Sequence, residues 1–248
     1  MLNDTFIYKG KRAQNMGIEL CESIILSEAV PKIETISIPG KNGDVQIWDG
    51  SYENRTIKAK CYLLRHAIDR GISSINSWLI SEPGYFRFED TADPKHFMIA
   101  RARSGISKQI KASVMASFEL KFDADPRRFL KTGERRIKLW GTVGAPFKVY
   151  NPTEYPSYPL LEITVERGAT YTIGIGGGKL YLRIADDEVS TRIYYDTETD
   201  RAYDESGREV NYLAASEGLV RLLPGENEIF ISSNKGGTLD LIPRWWEI

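Results

Sequence analysis

The feature that most constrains the fold of this chain is a two-residue alternation of apolar and polar side chains. In the stretch TIKAKCYLL, every second residue is apolar: Ile57, Ala59, Cys61 and Leu63. The stretch ASVMASFELKF repeats the pattern with Val114, Ala116, Phe118, Leu120 and Phe122. Successive side chains of a strand point to opposite faces of a sheet, so each stretch predicts a strand with one buried face. We expect both strands to form the floor of one sheet.

One segment has a helical period instead. In DRGISSINSWLI the apolar residues are three and four positions apart, which predicts a helix with one buried stripe: Ile68, Ile72, Ile75, Trp78 and Leu79. Asp69 is a candidate N-cap, and Pro83-Gly84 should end the helix. The stretches YFRF and HFMIARAR then predict a hairpin across the turn EDTADPK.

A domain boundary is indicated in DADPRRFLKTGERRIK, where a proline, a glycine and clustered positive charge interrupt the strand pattern. Beyond it, short strand patterns recur between turns: PLLEITV, TYTIGI, KLYLRIA, STRIYYD, GLVRLL, NEIFIS and TLDLIP. This spacing predicts an antiparallel β-sandwich of about seven strands or more. We therefore expect a β domain with one helix at residues 1–130 and a sandwich at 131–248.

Composition excludes several functions. The 248 residues carry 33 basic and 34 acidic side chains, so no overall field favours nucleic acid or anionic lipid. No apolar run approaches the roughly 20 residues that span a bilayer, and the first residues lack the apolar core of a signal peptide. We expect synthesis in the cytoplasm and no membrane association. Cys21 and Cys61 have no metal or redox spacing, and Cys61 is in phase with a buried strand face.

Two loops superficially match ligand-binding motifs. In GIGGGK, Ile173 stands where a phosphate loop needs its first glycine, and Leu180 replaces the metal-binding hydroxyl residue. A strand pattern follows, so a glycine-turned hairpin is favoured. The acidic run DTETD has Arg201 where a calcium loop needs glycine. An ordinary hairpin turn explains it better, with a weak surface ion as the alternative.

The sequence contains few of the residue patterns that enzyme active sites use. His66 and His96 are the two histidines, and neither accompanies a nucleophile motif or a metal-ligand cluster. Carboxylate pairs such as Asp186-Asp187, or Asp44 with Asp49, leave a glycosidase or lysin fragment as an alternative. We expect no catalytic residue, no cofactor and no metal site.

The final stretch RWWEI has two adjacent tryptophans. In a strand, Trp245 and Trp246 point to opposite faces, so at most one joins the core by default. The other needs a neighbour or a ligand. Packing against an adjoining domain is favoured, and a sugar-stacking platform is the alternative.

Several of these stretches together resemble one family. They are PGKNGDVQIWDGSYENRTI, the helix ending in WLISEPGYFRFEDTADP, the strand ending in FDADPRRF, and later YPLLEITVERGATYTIGIGGG, LLPGENEIFI and PRWWEI. In this order and spacing they resemble the distal tail protein of long-tailed (siphovirus) phages and prophages of Gram-positive bacteria. The resemblance runs over nearly the whole chain.

The resemblance implies a mostly β subunit in two parts. Its N-terminal domain, sandwich-like or split-barrel-like with one α-helix, would form a hexameric ring with other copies. Its C-terminal domain would be a galectin-like (jelly-roll type) antiparallel β-sandwich outside the ring. The ring would connect the tail tube protein to a tail-associated lysin or fibre hub, and to a receptor-binding protein. It would sit at the tail tip of the virion, let DNA pass without specific binding, and catalyse nothing.

The stretch at residues 39–57 then becomes the expected subunit contact. Two glycine turns precede Trp48, Tyr52, Asn54 and Arg55, and aromatic and arginine side chains are typical anchors of interfaces. The alternative is a hairpin that covers its own sheet.

A different function also stays open. The sandwich pattern, with Trp245, Trp246, Tyr194, Tyr195 and Tyr212, is compatible with a carbohydrate-binding module that adheres to cell-wall glycan.

Overall fold

The computed structural model describes residues 4–63, 72–106, 117–139, 146–188, 191–210 and 212–248. Strands dominate these ranges, the strands within each five-stranded sheet pair antiparallel, and a single α-helix occurs among the described residues. The predicted mostly β fold is confirmed. The chain divides into two compact units, Met1–Arg128 and Phe129–Glu247, here named unit 1 and unit 2.

The described part of unit 1 has ten strands and one helix. The strands are β1 (Phe6–Tyr8), β2 (Lys11–Arg12), β3 (Ile18–Leu20), β4 (Ile25–Leu26), β5 (Pro31–Ile36), β6 (Val45–Tyr52), β7 (Arg55–Leu63), β8 (Phe86–Asp90), β9 (His96–Ala102) and β10 (Ser117–Ala124). The helix is α1 (Ile72–Ile80), and a 3-10 turn covers Ala13–Met16. The main sheet has the order β2-β1-β8-β9-β10-β7-β3, with β4 also paired to β7. Strands β5 and β6 form a separate two-stranded sheet.

The two alternating stretches form adjacent strands, as predicted. Strand β10 pairs with β7 over eight residues, from Ser117 opposite Tyr62 to Ala124 opposite Arg55. The predicted apolar set of β7 is fully buried. Burial raises the pKa of the Cys61 thiol to about 12, which suits the inert apolar role expected for it. Val114 and Ala116 lie outside the described residues.

Helix α1 covers the aromatic core of unit 1. Three members of the predicted stripe are buried, Ile75, Trp78 and Leu79, and Ile72 is half-buried. The Trp78 ring stacks on Phe6 at 6.1 Å, and its indole Nε1 donates a hydrogen bond of 3.0 Å to the carbonyl of Tyr8. Ile68 and the N-cap candidate Asp69 lie outside the described residues. The predicted hairpin after the helix is confirmed as β8 and β9.

Unit 2, with the strand at the boundary, contains the remaining strands. They are β11 (Arg128–Leu130), β12 (Ile137–Leu139), β13 (Phe147–Asn151), β14 (Leu160–Thr164), β15 (Thr170–Ile175), β16 (Gly178–Ile184), β17 (Arg192–Asp196), β18 (Arg201–Tyr203), β19 (Tyr212–Glu217), β20 (Gly225–Ser233), β21 (Thr238–Ile242) and β22 (Trp246–Glu247). A 3-10 turn covers Lys131–Glu134. Two five-stranded sheets have the orders β12-β21-β14-β17-β18 and β13-β20-β15-β16-β19. The predicted antiparallel sandwich is confirmed.

The inner faces of these two sheets form one apolar core, and the inward residues alternate along each strand as in Leu180, Leu182 and Ile184 of β16. GIGGGK is the predicted hairpin, since Gly176 and Gly177 form the two-residue turn between β15 and β16. Both have positive φ, which explains the glycines. DTETD is likewise the turn of the β17–β18 hairpin.

One predicted strand of unit 2 is wrong. GLVRLL at residues 218–223 forms only an isolated bridge, between Leu222 and Ser157. The strand in this region is β19, which ends at Glu217. The backbone at Leu219 then passes close to Gly178 of β16. A β-carbon on Gly178 would lie 2.3 Å from the Leu219 carbonyl oxygen, so the backbone passes over the sheet there rather than extending it.

Candidate functional site

A two-stranded ribbon in unit 1 is the candidate functional site. We define the ribbon as residues 30–52, which comprise β5, β6 and their connection. Its strands pair from Ile36 opposite Val45 to Pro31 opposite Tyr52, with one irregularity between Pro31 and Ile33. The Lys41 amide donates to the Ile38 carbonyl at 3.1 Å, and Gly40 between them has φ of 82°. The predicted Pro39-Gly40 turn is therefore present, with glycine where positive φ is needed.

The ribbon carries a concentration of exposed apolar side chains. Of the fifteen large apolar residues exposed in the described ranges, six lie in the ribbon: Val30, Ile33, Ile36, Ile38, Ile47 and Trp48. A ribbon of two strands is at best marginally stable in water without a packed face. Contiguous exposed apolar surface usually marks an interaction site. Within the described residues, the ribbon's apolar side chains are left without a cover.

Both faces of the ribbon are apolar. On one face Ile33 lies opposite Trp48, and on the other Ile36 lies opposite Val45. Ile47 shares the second face, where it pairs with Glu34. A hairpin that merely covered its own sheet would have one apolar face and one polar face. The observed pattern fits a ribbon that is enclosed from both sides by other protein.

Trp48 is held in place on the ribbon although it is 49% exposed. Its ring meets Tyr52 edge-to-face at 5.5 Å, and its indole Nε1 donates to the Ser51 carbonyl at 2.7 Å. The Ser51 amide in turn donates to Asp49 at 2.8 Å, and hydrogen bonding from Ser51 lowers the pKa of that carboxyl. A large aromatic side chain fixed before binding loses little entropy on association, which is the property of an interface anchor.

Asn54 lies in a polar network where the ribbon joins the main sheet. Its side-chain amide donates to the Tyr85 hydroxyl at 2.9 Å and to Asp123 at 3.4 Å. The Tyr85 hydroxyl and Arg101 Nε also donate to Asp123, at 2.8 and 3.1 Å. Burial alone would raise the pKa of Asp123, but these donors outweigh it and hold that pKa below its usual value. The network fixes the base of the ribbon.

Arg55 differs from the other predicted contact residues because it is buried. Its side chain is 9% exposed, and its Nε donates to the Ser27 carbonyl at 2.7 Å. Burial, with a smaller effect of Arg128, lowers the pKa of Arg55. In the single chain it therefore anchors the segment before the ribbon rather than projecting from it. The sequence pattern could have predicted this burial, because Arg55 alternates in phase with the buried Ile57 and Ala59.

The two tryptophans near the C-terminus pack within unit 2. Trp245 is buried in the core, and Trp246 stacks on Tyr155 with ring centroids 4.5 Å apart. The Trp246 indole also donates to the Pro156 carbonyl at 2.9 Å. One tryptophan thus lies in the core and its neighbour packs on residues of the same unit, where the sequence analysis favoured packing against an adjoining domain. A sugar platform at this position is not supported.

The histidine and carboxylate side chains considered for catalysis are not arranged as an active site within the described residues. His96 Nδ1 lies 2.8 Å from Asp93, in the turn between β8 and β9, and Arg128 lies 3.6 Å from the same carboxylate. Asp49, a member of one suggested carboxylate pair, has a lowered pKa, whereas a general acid needs a raised one. His66 lies outside the described residues. Within the described ranges no group of three or more metal-ligating side chains occurs.

No helix in the part of the chain that the structure describes has the length and apolar character needed to cross a bilayer.

Comparison with known proteins finds similarity in structure but not in sequence. No family model matches the chain, and no curated protein matches its sequence. The crystal structure of the Dit protein (gp 19.1) of phage SPP1 superposes with a TM-score of 0.68 at 13% identity, over 99% of both chains. That protein is described as a paradigm of the hub adsorption apparatus in phages that infect Gram-positive bacteria. A chain of the phage P2 baseplate, in its activated conformation with Ca, superposes with a TM-score of 0.52 at 8% identity. The match covers 97% of this chain and 98% of the baseplate chain.

The chain therefore has the β-rich fold of a phage tail hub protein. More narrowly, its fold is Dit-like along nearly the whole length, which confirms at the level of fold the resemblance seen in the sequence.

Proposed function

We propose that this chain is a structural hub protein of a phage tail tip, located in the virion, and that copies of it assemble into a closed ring through the ribbon. The whole-chain likeness to the SPP1 hub protein supports the class of function. The observation that carries the assembly is the ribbon, which has exposed apolar residues on both faces.

The ribbon suits a head-to-tail contact between copies. In such a contact, one patch of each subunit meets a different patch of the next, and the chain of contacts closes when the rotation divides the circle. Six copies, a central channel for DNA and an inner ring of residues 1–130 follow from the family resemblance. Residues 131–248 would lie outside this ring, and the tail tube, lysin or fibre hub and receptor-binding proteins would be partners.

Sedimentation of the purified full chain tests the assembly. We expect a ring for the wild type and a shift toward free subunits for Trp48→Ala, because alanine removes the fixed aromatic anchor. Tyr150→Ala is the matched control, since Tyr150 is 69% exposed but lies in unit 2. The control should sediment as the wild type does.

Two outcomes would count against the proposal. A ring of wild-type stability in Trp48→Ala would show that the ribbon is not the adhesive element. Equal dissociation by Trp48→Ala and Tyr150→Ala would point to general loss of exposed apolar surface instead. Arg55→Glu is a poorer probe, because a buried carboxylate there would disturb the fold of unit 1 directly.

A further inference from the structure

The two five-stranded sheets of unit 2 end in four edge strands, and three of these are protected against pairing with another chain. Strands β12 and β18 have only three residues each, and Tyr203 of β18 is also bridged by Glu209. Strand β13 carries Lys148, which pairs with Glu226 of the neighbouring strand at 2.7 Å. Short length, charged side chains and a covering segment are the usual means by which an edge strand avoids adding a further strand.

Strand β19 is the fourth edge, and the described residues give it none of these protections. It pairs with β16 in regular register over six residues, from Tyr212 to Glu217. Its sequence YLAASE contains no lysine, arginine or proline, and its one charge is at the last residue. Residues 213–217 are all exposed, and Leu213 is 71% exposed. A regular, nearly uncharged and exposed edge strand is a template for one more strand.

The inner face of β19 is exposed as well as its outer face. On the neighbouring β16, Leu180 and Leu182 face the core and are buried. Their cross-strand partners on β19 are Ser216 and Ala214, which share that face but are exposed. The described part of the opposite sheet therefore does not cover this end of the sandwich. A strand added beside β19 would have space for its side chains on both faces.

A cavity of about 430 Å3 lies beside the inner face of β19 at its C-terminal end. Its walls combine the end of β19, the residues 218–220 that follow it, two tyrosines, and two carboxylates of the turn between β17 and β18. The lining residues with polar side chains are Tyr158, Tyr195, Thr197, Glu198, Asp200 and Ser216. The volume is within the roughly 300–1,000 Å3 typical of ligand pockets. It can take the long side chain of a bound segment.

The charge of the cavity is acidic. Glu198 and Asp200 line it, and none of its described lining residues is basic. The Tyr195 hydroxyl donates a hydrogen bond to Asp200, and burial, with this carboxylate as a further cause, raises the pKa of Tyr195. A carboxylate has about four acceptor positions, so the bond from Tyr195 orients Asp200 and leaves it able to accept others. The cavity therefore favours a cationic group.

We propose that β19 binds an extended segment of another protein, and that a lysine or arginine side chain of this segment enters the acidic cavity. Main-chain hydrogen bonds along the open edge would supply affinity, as in other strand additions. The residue of the segment beside Ser216 on the inner face would supply specificity, with its aliphatic stem against Leu219 and its charge at the carboxylates. A second copy of β19 fits less well, because its sequence offers the cavity no basic side chain.

The test uses fluorescence anisotropy of the full chain with labelled peptides of about ten residues, which is the length of a long strand. The peptides alternate threonine and valine and differ in one central residue: arginine, lysine, leucine or glutamate. We expect the arginine and lysine peptides to bind with dissociation constants at about millimolar or tighter, and the other two about tenfold more weakly. Added salt should reduce this preference. Amide hydrogen exchange should slow in β19 when the arginine peptide binds.

Two variants separate the edge from the cavity. Leu213→Lys adds a positive charge to the exposed edge and should weaken binding of the arginine peptide by about tenfold. Its matched control is Tyr150→Lys, because Tyr150 is 69% exposed on β13, at the other edge of the same sheet. Asp200→Asn should remove most of the preference for arginine over leucine. Asparagine tolerates the positive φ of 59° at this position, so the turn is kept.

Four results would overturn the inference. Failure of every peptide to bind at about ten times the expected constant would remove the edge as a docking site. Equal binding of the arginine and glutamate peptides would remove the cavity as the source of specificity. Equal effects of Leu213→Lys and Tyr150→Lys, or unchanged exchange in β19, would place the peptide elsewhere. Slow exchange in β19 of the chain alone, lost on dilution, would identify a second copy as the occupant.

The inference does not depend on ring assembly through the ribbon. Trp48→Ala should bind the arginine peptide as the wild type does, because Trp48 lies in unit 1 and β19 in unit 2. A ring that assembles but binds no peptide overturns this inference and leaves the proposed function standing. A chain that binds the peptide but forms no ring does the reverse.

Discussion

The β5–β6 ribbon of unit 1 and the β15–β16 hairpin of unit 2 have a similar local architecture but different surroundings. Each consists of two antiparallel strands joined by glycine-bearing turns. The β15–β16 hairpin has β20 on one side and β19 on the other, and its apolar face is buried against the second sheet. The ribbon has no third strand in the described ranges and exposes apolar residues on both faces. The apolar residues of one hairpin stabilise the chain itself, and we propose that those of the other act on association.

The largest expected contrast is in the stability of the single chain. Ile173→Ala on β15 should lower the free energy of unfolding of unit 2 by about 2–5 kcal/mol, because it leaves a cavity in a fully buried site. Ile33→Ala on the ribbon should change it by less than about 0.5 kcal/mol under dissociating conditions, because Ile33 is exposed there. Denaturant unfolding followed by circular dichroism compares the two. Equal losses would mean that the ribbon is covered within the chain.

In assembly, by contrast, we expect the ribbon substitutions to have the larger effect. Ile33→Ala and Ile47→Ala lie on opposite faces of the ribbon, and each should weaken assembly by about tenfold if the proposed ring encloses both faces. Sedimentation equilibrium over a dilution series measures the change. An effect of only one of the two variants would show that the ribbon is covered on a single face.

Much of the fold could be predicted from the sequence, because long alternating runs such as Ile57 to Leu63 specify their own buried face. In unit 2, the strands β12, β13, β18 and β19 were among those missed. Strands β12 and β18 have three residues each, too few to establish an alternation. The exposure of the ribbon's apolar residues could not be predicted from the sequence either. Alternation shows which residues share a face but not whether the cover comes from the same chain.

A smaller effect is expected from pH, through an ion pair in unit 2. Arg244 binds Asp196 through two hydrogen bonds of 2.8 and 3.0 Å. Burial alone would raise the pKa of Asp196, but these bonds outweigh it and lower that pKa. The stabilisation is therefore fully present above the unfolded value of about 3.9 and is lost as the pH falls through the lower folded value.

Asp196→Asn tests this contribution. It should lower the stability of unit 2 at neutral pH by about 1–3 kcal/mol, because the hydrogen bonds lose their charge. It should also flatten the acid limb of the stability profile measured by thermal melting from neutral to acidic pH. An acid limb of wild-type steepness in the variant would assign the pH dependence to other carboxyls. The equivalent profile of the ribbon variants should match the wild type.

The smallest effect is expected at the turn of the ribbon. Gly40 has φ of 82°, and no atom lies within 4 Å of the position that a β-carbon would occupy. Gly40→Ala therefore adds backbone strain of about 1 kcal/mol and no clash, and it should weaken assembly only severalfold. Gly176→Ala in the β15–β16 turn should be more harmful, because its β-carbon would lie 2.0 Å from the Arg221 carbonyl oxygen. Thermal melting of the two variants ranks them, and the reverse ranking would contradict the comparison.

The mass of the purified wild-type chain in solution tests the central claim most directly. The account predicts a closed assembly of defined size, six times the 28.1 kDa chain mass on the family resemblance, which Trp48→Ala converts toward single chains. A wild-type chain that stays monomeric when concentrated, with Trp48 shielded from solvent quenchers of its fluorescence, would contradict it.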